Sequence, residues 1–132
     1  MKSKTLSVYI TQSPARVYEF TSNPANFPDW VPSFCKSVDL INGQWIVESP
    51  DGSAVFAFVA ANPYGVLDHT IIFSSGLKIT NPMRVVPNGS GSKLLFTPFQ
   101  HAGMSDQQFK NNEAQVKSDL QTLRRLLENK QG

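Results

Sequence analysis

The chain has 132 residues, of which 40% are hydrophobic, and its 12 basic and 10 acidic side chains give a formal net charge of +2. That length suits a single domain over residues 1–132, able to bury about two-thirds of the surface its unfolded form exposes without help from a disulfide or structural metal. The charges form no continuous electropositive stripe, which argues against nucleic-acid binding, and the single Cys35 excludes an intramolecular disulfide and a multi-cysteine zinc site.

The start MKSKTLSVYI lacks the apolar core of a signal peptide, and no apolar run approaches the ~20 residues that span a bilayer. The expectation is a cytoplasmic protein without stable membrane insertion. From Lys4 to Thr11, Leu6, Val8 and Ile10 alternate with Thr5, Ser7 and Tyr9, the period of a half-buried strand. Ser13-Pro14 then supplies an N-cap and a first-turn proline for a short helix through Ser22, with Val17, Phe20 and Tyr18 turned inward. Asn23-Pro24 stops it. A second turn of helix, Ala25 to Trp30, lies among Pro24, Pro28 and Pro32.

From Phe34 the chain reads as an antiparallel meander. Cys35 to Ile41 pairs with Gln44 to Ser49 through Asn42-Gly43, a favoured hairpin turn, and Pro50-Asp51-Gly52 makes the next corner. Ser53 to Ala61, Val66 to Ser74, Leu77 to Val86 and Lys93 to Gln100 follow, the last two flanking Asn88-Gly89-Ser90-Gly91 as a flexible loop outside the core. Met104 to Gly132 closes the chain as one amphipathic helix. Its apolar residues Phe109, Val116, Leu120, Leu123 and Leu127 recur at steps of seven, four, three and four, on one stripe. Its basic residues Lys117, Arg124, Arg125 and Lys130 are interleaved with Glu113, Asp119 and Glu128, the pattern of a solvated face. The predicted order is one strand, two short helices, six strands and one long helix.

The segment SVYITQSPARVYEFTSNPANFPDWVPSF, with Ser13, Pro14, Val17, Tyr18, Phe20, Asn23, Pro24, Trp30 and Pro32 in place, resembles the opening of the START-like superfamily, also called SRPBCC or helix-grip proteins. Arg84 to Pro87 with the following Asn88 to Ser92, and the closing DLQTLRRLLE, look like the last hairpin and C-terminal helix of bacterial members. The resemblance implies an α+β helix-grip (Bet v 1-like) fold: a curved antiparallel sheet of about seven strands with the long helix across its concave face. It further implies binding or transport of a small hydrophobic ligand, such as a lipid, polyketide or isoprenoid, between sheet and helix. No catalytic signature transfers position by position, because a fold of this kind hosts many activities.

On such a sheet, alternation sorts side chains into two faces. Leu67, His69, Ile71 and Phe73 form the more apolar set of their strand and should face the helix, with Asp68 outside. Phe56 and Phe58 share a face with Ala54 and Ala60, and the opposite face, Val55, Ala57 and Val59, is also apolar and would suit a homodimer contact. Leu77, Ile79, Asn81, Met83 and Val85 form the inward set of the next strand, and Leu94, Phe96 and Pro98 that of the last. The expected ligand-binding wall is therefore Trp30, Trp45, Phe56, Phe58, His69, Ile71, Phe73, Asn81, Met83, Phe96, Phe109, Val116 and Leu120, with Tyr18, Phe27 and Phe34 as further aromatics near a cavity mouth.

His69 is the candidate catalytic residue, as acid or base in a polyketide cyclase/dehydrase-like enzyme; equally, an inward imidazole can orient a ligand or satisfy a neighbouring polar group. Met83 and Asn81 suit a flexible apolar ligand with a polar head, or plain core packing. His69, His101 and Cys35 have no paired ligand spacing, so no metal and no cofactor is expected. Three readings remain open: a binding protein, a cyclase-like enzyme, and a protein-interaction module with a filled core.

Overall fold

The computed structural model describes residues 1–129. The elements run β1 (Leu6–Ile10), α1 (Pro14–Thr21), a 3-10 turn (Pro24–Asn26), α2 (Phe27–Trp30), β2 (Ser37–Ile41), β3 (Gln44–Ser49), β4 (Gly52–Phe58), β5 (His69–Phe73), β6 (Lys78–Asn81), β7 (Met83–Asn88), β8 (Gly91–Phe96) and α3 (Asp106–Asn129). The fold is α+β, as expected. Lys130 and the predicted last turn of the helix lie outside the described residues.

Local chemistry accounts for the early elements. The Ser13 side chain accepts from the Arg16 N–H at 3.2 Å and Pro14 occupies the first turn, so α1 starts where the sequence places it. Asn23 caps the 3-10 turn by accepting from the Ala25 N–H at 3.1 Å. Asn42 and Gly43 both have positive φ, as the tight β2–β3 turn requires.

The strands form two antiparallel sheets, β1-β8-β7 and β2-β3-β4-β5-β6. This corrects the expectation of one continuous strand from Leu77 to Val86, which breaks at Pro82 into β6 and β7 and raises the strand number to eight. The opposing chain bends at the same level. Residues 65–67 lie along β7, through Leu67 N–H to Met83 O and Val85 N–H to Gly65 O, while β5 pairs with β6. At the bend Asp68 leaves the ladder and accepts from the Met83 N–H at 2.8 Å and from Arg84 at 3.1 Å. Proline cannot donate to a ladder, and the carboxylate supplies the acceptor that regular pairing would have given its neighbour.

Two smaller expectations also change. Leu77 lies in the β5–β6 corner and is exposed, whereas Ile79, Asn81, Met83 and Val85 do turn inward. The stretch Asn88-Gly89-Ser90-Gly91 is not a loose loop: Asn88 pairs with Gly91, only Gly89 and Ser90 turn, and Gly91 is buried against Ile10 and Tyr9. Ala60 lies past the end of β4 and is exposed, and on the outer face Val55 is half-buried while Ala57 and Val59 are exposed.

α3 lies across the sheet with Phe109, Val116, Leu120, Leu123 and Leu127 buried, the five residues of the sequence stripe. Both halves are fastened to β1 and its extensions. Near the start Lys4 meets Glu113 at 3.1 Å; near the end Glu128 accepts from the Thr11 N–H and hydroxyl at 3.0 and 2.9 Å, and Gln12 donates to Leu127 O at 2.9 Å.

A Cβ on Gly91 would sit 2.5 Å from Ile10 O and 2.7 Å from the Tyr9 hydroxyl oxygen, so β1 and β8 could not keep their register. Gly91→Ala should therefore lower unfolding stability by about 1–3 kcal/mol. Urea denaturation measures this, and an unchanged midpoint would contradict the packing described.

Candidate functional site

Under the middle of α3 the core is hollow. A cavity of about 350 Å³ opens between α3, α2 and the inner faces of β4 to β8. Phe27, Trp30, Phe56, Phe58, Ile71, Met83 and Phe96 make it mostly apolar, with Val116 and Leu120 contributed by the helix. Leu123 and Leu127, one and two turns further, do not border it and pack in the core instead.

Ten residues of the sequence-expected wall border this space: Trp30, Phe56, Phe58, His69, Ile71, Asn81, Met83, Phe96, Val116 and Leu120. Trp45, Phe73 and Phe109 do not. Trp45 is half-buried on β3 beside a shallow depression on the other side of Phe56, and Phe73 packs on the core opposite Ala54. Phe109 is buried at the start of α3 with the Lys2 ammonium 5.7 Å from its ring. The cavity also takes in Ser33, Asp51, Asn112, Gln115 and Asp119, which strand alternation and the apolar stripe do not assign. The signal for the helical ones is the flank of that stripe: Asn112, Gln115 and Asp119 are spaced three and four residues apart beside Val116 and Leu120.

His69 sits at the centre of the sheet wall, 6% exposed. Its ring stacks on Phe56 at 4.9 Å, with Phe96 at 5.5 Å and Phe58 edge-on at 5.7 Å. Nδ1 lies 3.1 Å from Leu67 O, and Nε2 lies 3.2 Å from the Asn81 amide nitrogen. Both ring nitrogens are thus engaged. Burial pushes the His69 pKa down to about 4, against the opposing pull of the Leu67 carbonyl and the Asp68 charge, so the ring is neutral at pH 7.

Asp119, half-buried on α3, behaves in the opposite sense. Burial raises its pKa to about 6, although the Gln115 amide donates to it at 3.0 Å. Asp68 stays outside, where Arg84 and the Met83 N–H outweigh burial and hold its carboxyl below the usual range. Asp68 therefore serves the sheet bend rather than the cavity.

Cys35 is buried, donates to Ser37 O at 3.3 Å and has its pKa pushed up to about 11 by burial, which leaves a neutral thiol. Among the described residues no group of three or more His, Cys, Asp or Glu side chains could hold a metal ion, and no helix is long and apolar enough to cross a membrane.

Neither a family model nor a curated protein sequence matches the chain. Solved structures do. The Aha1 dimer from Colwellia psychrerythraea is 13% identical, with a TM-score of 0.77 over 100% of both chains. Ara h 8.0201 is 13% identical, with a TM-score of 0.70 over 96% of both chains. DynU16, from the dynemicin biosynthetic locus, is 15% identical with a TM-score of 0.73 over 97% of this chain and 48% of its own. At such identities the likeness is one of architecture: the chain has the helix-grip, Bet v 1-like fold.

Proposed function

We propose that this domain binds a compact, mostly apolar small molecule in the cavity between the sheet and α3. The observation that carries the reading is the hollow itself: about 350 Å³ walled by aromatic and aliphatic side chains, with a buried amide, Asn81, in its wall. Ligand pockets span ~300–1,000 Å³, so this one suits a small ring system or short isoprenoid better than a two-chain lipid. Each Å² of apolar ligand surface removed from water would contribute roughly 25 cal/mol.

The state of His69 favours binding over cyclase-like catalysis. A general acid or base near neutral pH needs a free nitrogen and a matched pKa, and this imidazole has neither. It supports the wall as a neutral, stacked ring. The likeness to DynU16 keeps a biosynthetic setting in view, with the domain holding an intermediate rather than converting it.

Titration with phenylnaphthylamine, an uncharged fluorescent probe, should give saturable one-to-one binding. Val116→Phe, which fills the space beneath α3, should weaken it by about tenfold or more, equivalent to ~1.4 kcal/mol, with little change in melting temperature. Undiminished affinity in that variant would overturn the placement of the ligand.

The His69 environment also sets a pH dependence. Its folded pKa of about 4 lies below the ordinary histidine value of 6.5, so its contribution is complete above 6.5 and is lost as pH falls through 4. Between pH 7 and 5 this amounts to about 2 kcal/mol. Asp119, raised to about 6, acts in the opposite direction over part of that range, so the comparison must be with a variant lacking only the imidazole. His69→Gln should lose less stability than the parent on going from pH 7 to 5; equal losses would contradict a buried neutral histidine.

A further inference from the structure

The wall of the cavity holds one buried donor that the fold leaves unused. His69 and Asn81 answer one another: Leu67 O takes the Nδ1 proton, and the Asn81 amide nitrogen lies 3.2 Å from the bare Nε2. Trp30 has no such arrangement. Its side chain is 5% exposed and borders the cavity, yet Nε1 reaches no acceptor among the described residues. An indole N–H can only donate. Thr21 Oγ1 is also buried without a partner, but Thr21 does not border the cavity.

The corner that carries the indole is fixed. Trp30 ends α2, whose turn is closed by Val31 N–H to Phe27 O at 2.8 Å and continued by Cys35 N–H to Val31 O at 2.9 Å, and its ring meets Phe27 edge-on at 6.1 Å. The protein packed round the ring supplies no acceptor, so one must come from the cavity that the ring borders. A ligand filling that space with hydrocarbon alone would seal the N–H from water as well, at the full desolvation cost of the group. One with an oxygen at this point would recover it.

Resting on the binding reading above, we propose that Trp30 selects the polar end of the ligand, and that this end is the carbonyl oxygen of a compact, uncharged molecule such as an aryl ketone or lactone. The absence of charge follows from the other groups in the wall. Asp119 and Asp51 border the same space and, among the described residues, no lysine or arginine does. A carboxylate would accept from the indole but lose its hydration beside two acids with no cation to offset the loss. A hydroxyl would bring a proton that needs a second partner, whereas a carbonyl only accepts.

Competition against bound phenylnaphthylamine with acetonaphthone, ethylnaphthalene and naphthoate at pH 7 tests this. The hydrocarbon gains more from leaving water than the ketone does, so the decisive quantity is the change in the ketone-to-hydrocarbon affinity ratio when the N–H is removed. Trp30→Phe keeps an aromatic ring without the donor and should lower that ratio about fivefold, the weight of one net hydrogen bond. In the parent chain naphthoate should bind more weakly than the ketone. Proton–nitrogen NMR of the parent gives a second reading that needs no change at Trp30. The chain has two tryptophans, and Trp45→Phe tells their indole signals apart; the Trp30 N–H should lie downfield in the acetonaphthone complex relative to the ethylnaphthalene complex. Should Trp30→Phe fail to fold, that shift decides. An unchanged ratio, the same Trp30 shift in both complexes, naphthoate bound as well as the ketone, or a ketone unable to displace the probe would overturn the carbonyl assignment while leaving the binding reading intact. Failure of phenylnaphthylamine to bind the parent chain would overturn the binding reading, and the carbonyl assignment with it.

Discussion

The arrangement depends on the path of the chain past Pro82. A proline in a sheet interrupts the ladder, and here the interruption is absorbed by Asp68, whose carboxylate takes the Met83 N–H. The Leu67 carbonyl meets the imidazole of His69, and that imidazole meets Asn81. One bend thus produces three linked outcomes: the two sheets change direction, a neutral histidine is held in one tautomer, and an amide oxygen is left available in the cavity wall. Since buried polar groups are costly when unpaired, the chain of partners is also what makes an imidazole tolerable among Phe56, Phe58 and Phe96.

The second determinant is the division of α3. Its last turns are locked down by Glu128, Gln12 and the buried Leu123 and Leu127, while the turns carrying Val116 and Leu120 overlie space. The helix is held over the hollow by its ends, through Lys4 to Glu113 on one side and Thr11 to Glu128 on the other. The exposed ion pair adds little energy by itself; the backbone-anchored contacts and the filled half of the core carry the stability. A cavity can therefore exist without loosening the domain as a whole.

Much of this is legible in the residues. The five-residue stripe of α3, the Ser13 cap, the Asn42-Gly43 hairpin and the inward set Leu67, His69, Ile71 follow from periodicity and turn chemistry, which depend only on near neighbours. What the sequence hides depends on long-range pairing. Pro82, within an alternating run, is the local mark of a break; what the run hides is that Asp68, 14 positions earlier, lies opposite and absorbs it by taking the Met83 N–H. Trp45 and Phe73 have the right residue type and face, but strand curvature decides which inward side chains reach the hollow and which pack on the core beside it, while Phe109 sits at the start of α3, before the turns that overlie the hollow. Asp119 escapes a sequence-based assignment because its charge groups it with the solvated face, although its position beside Leu120 turns it to the cavity rim.

The tautomer of His69 links the sheet bend to the cavity wall, since the Leu67 carbonyl sets it and the orientation of Asn81 follows from it. Nitrogen-15 NMR of the histidine ring in the full chain reads it directly. The account predicts a neutral ring with the proton on Nδ1 at pH 7, and the same form still dominant near pH 5. A proton on Nε2, or an imidazolium at either pH, would contradict it.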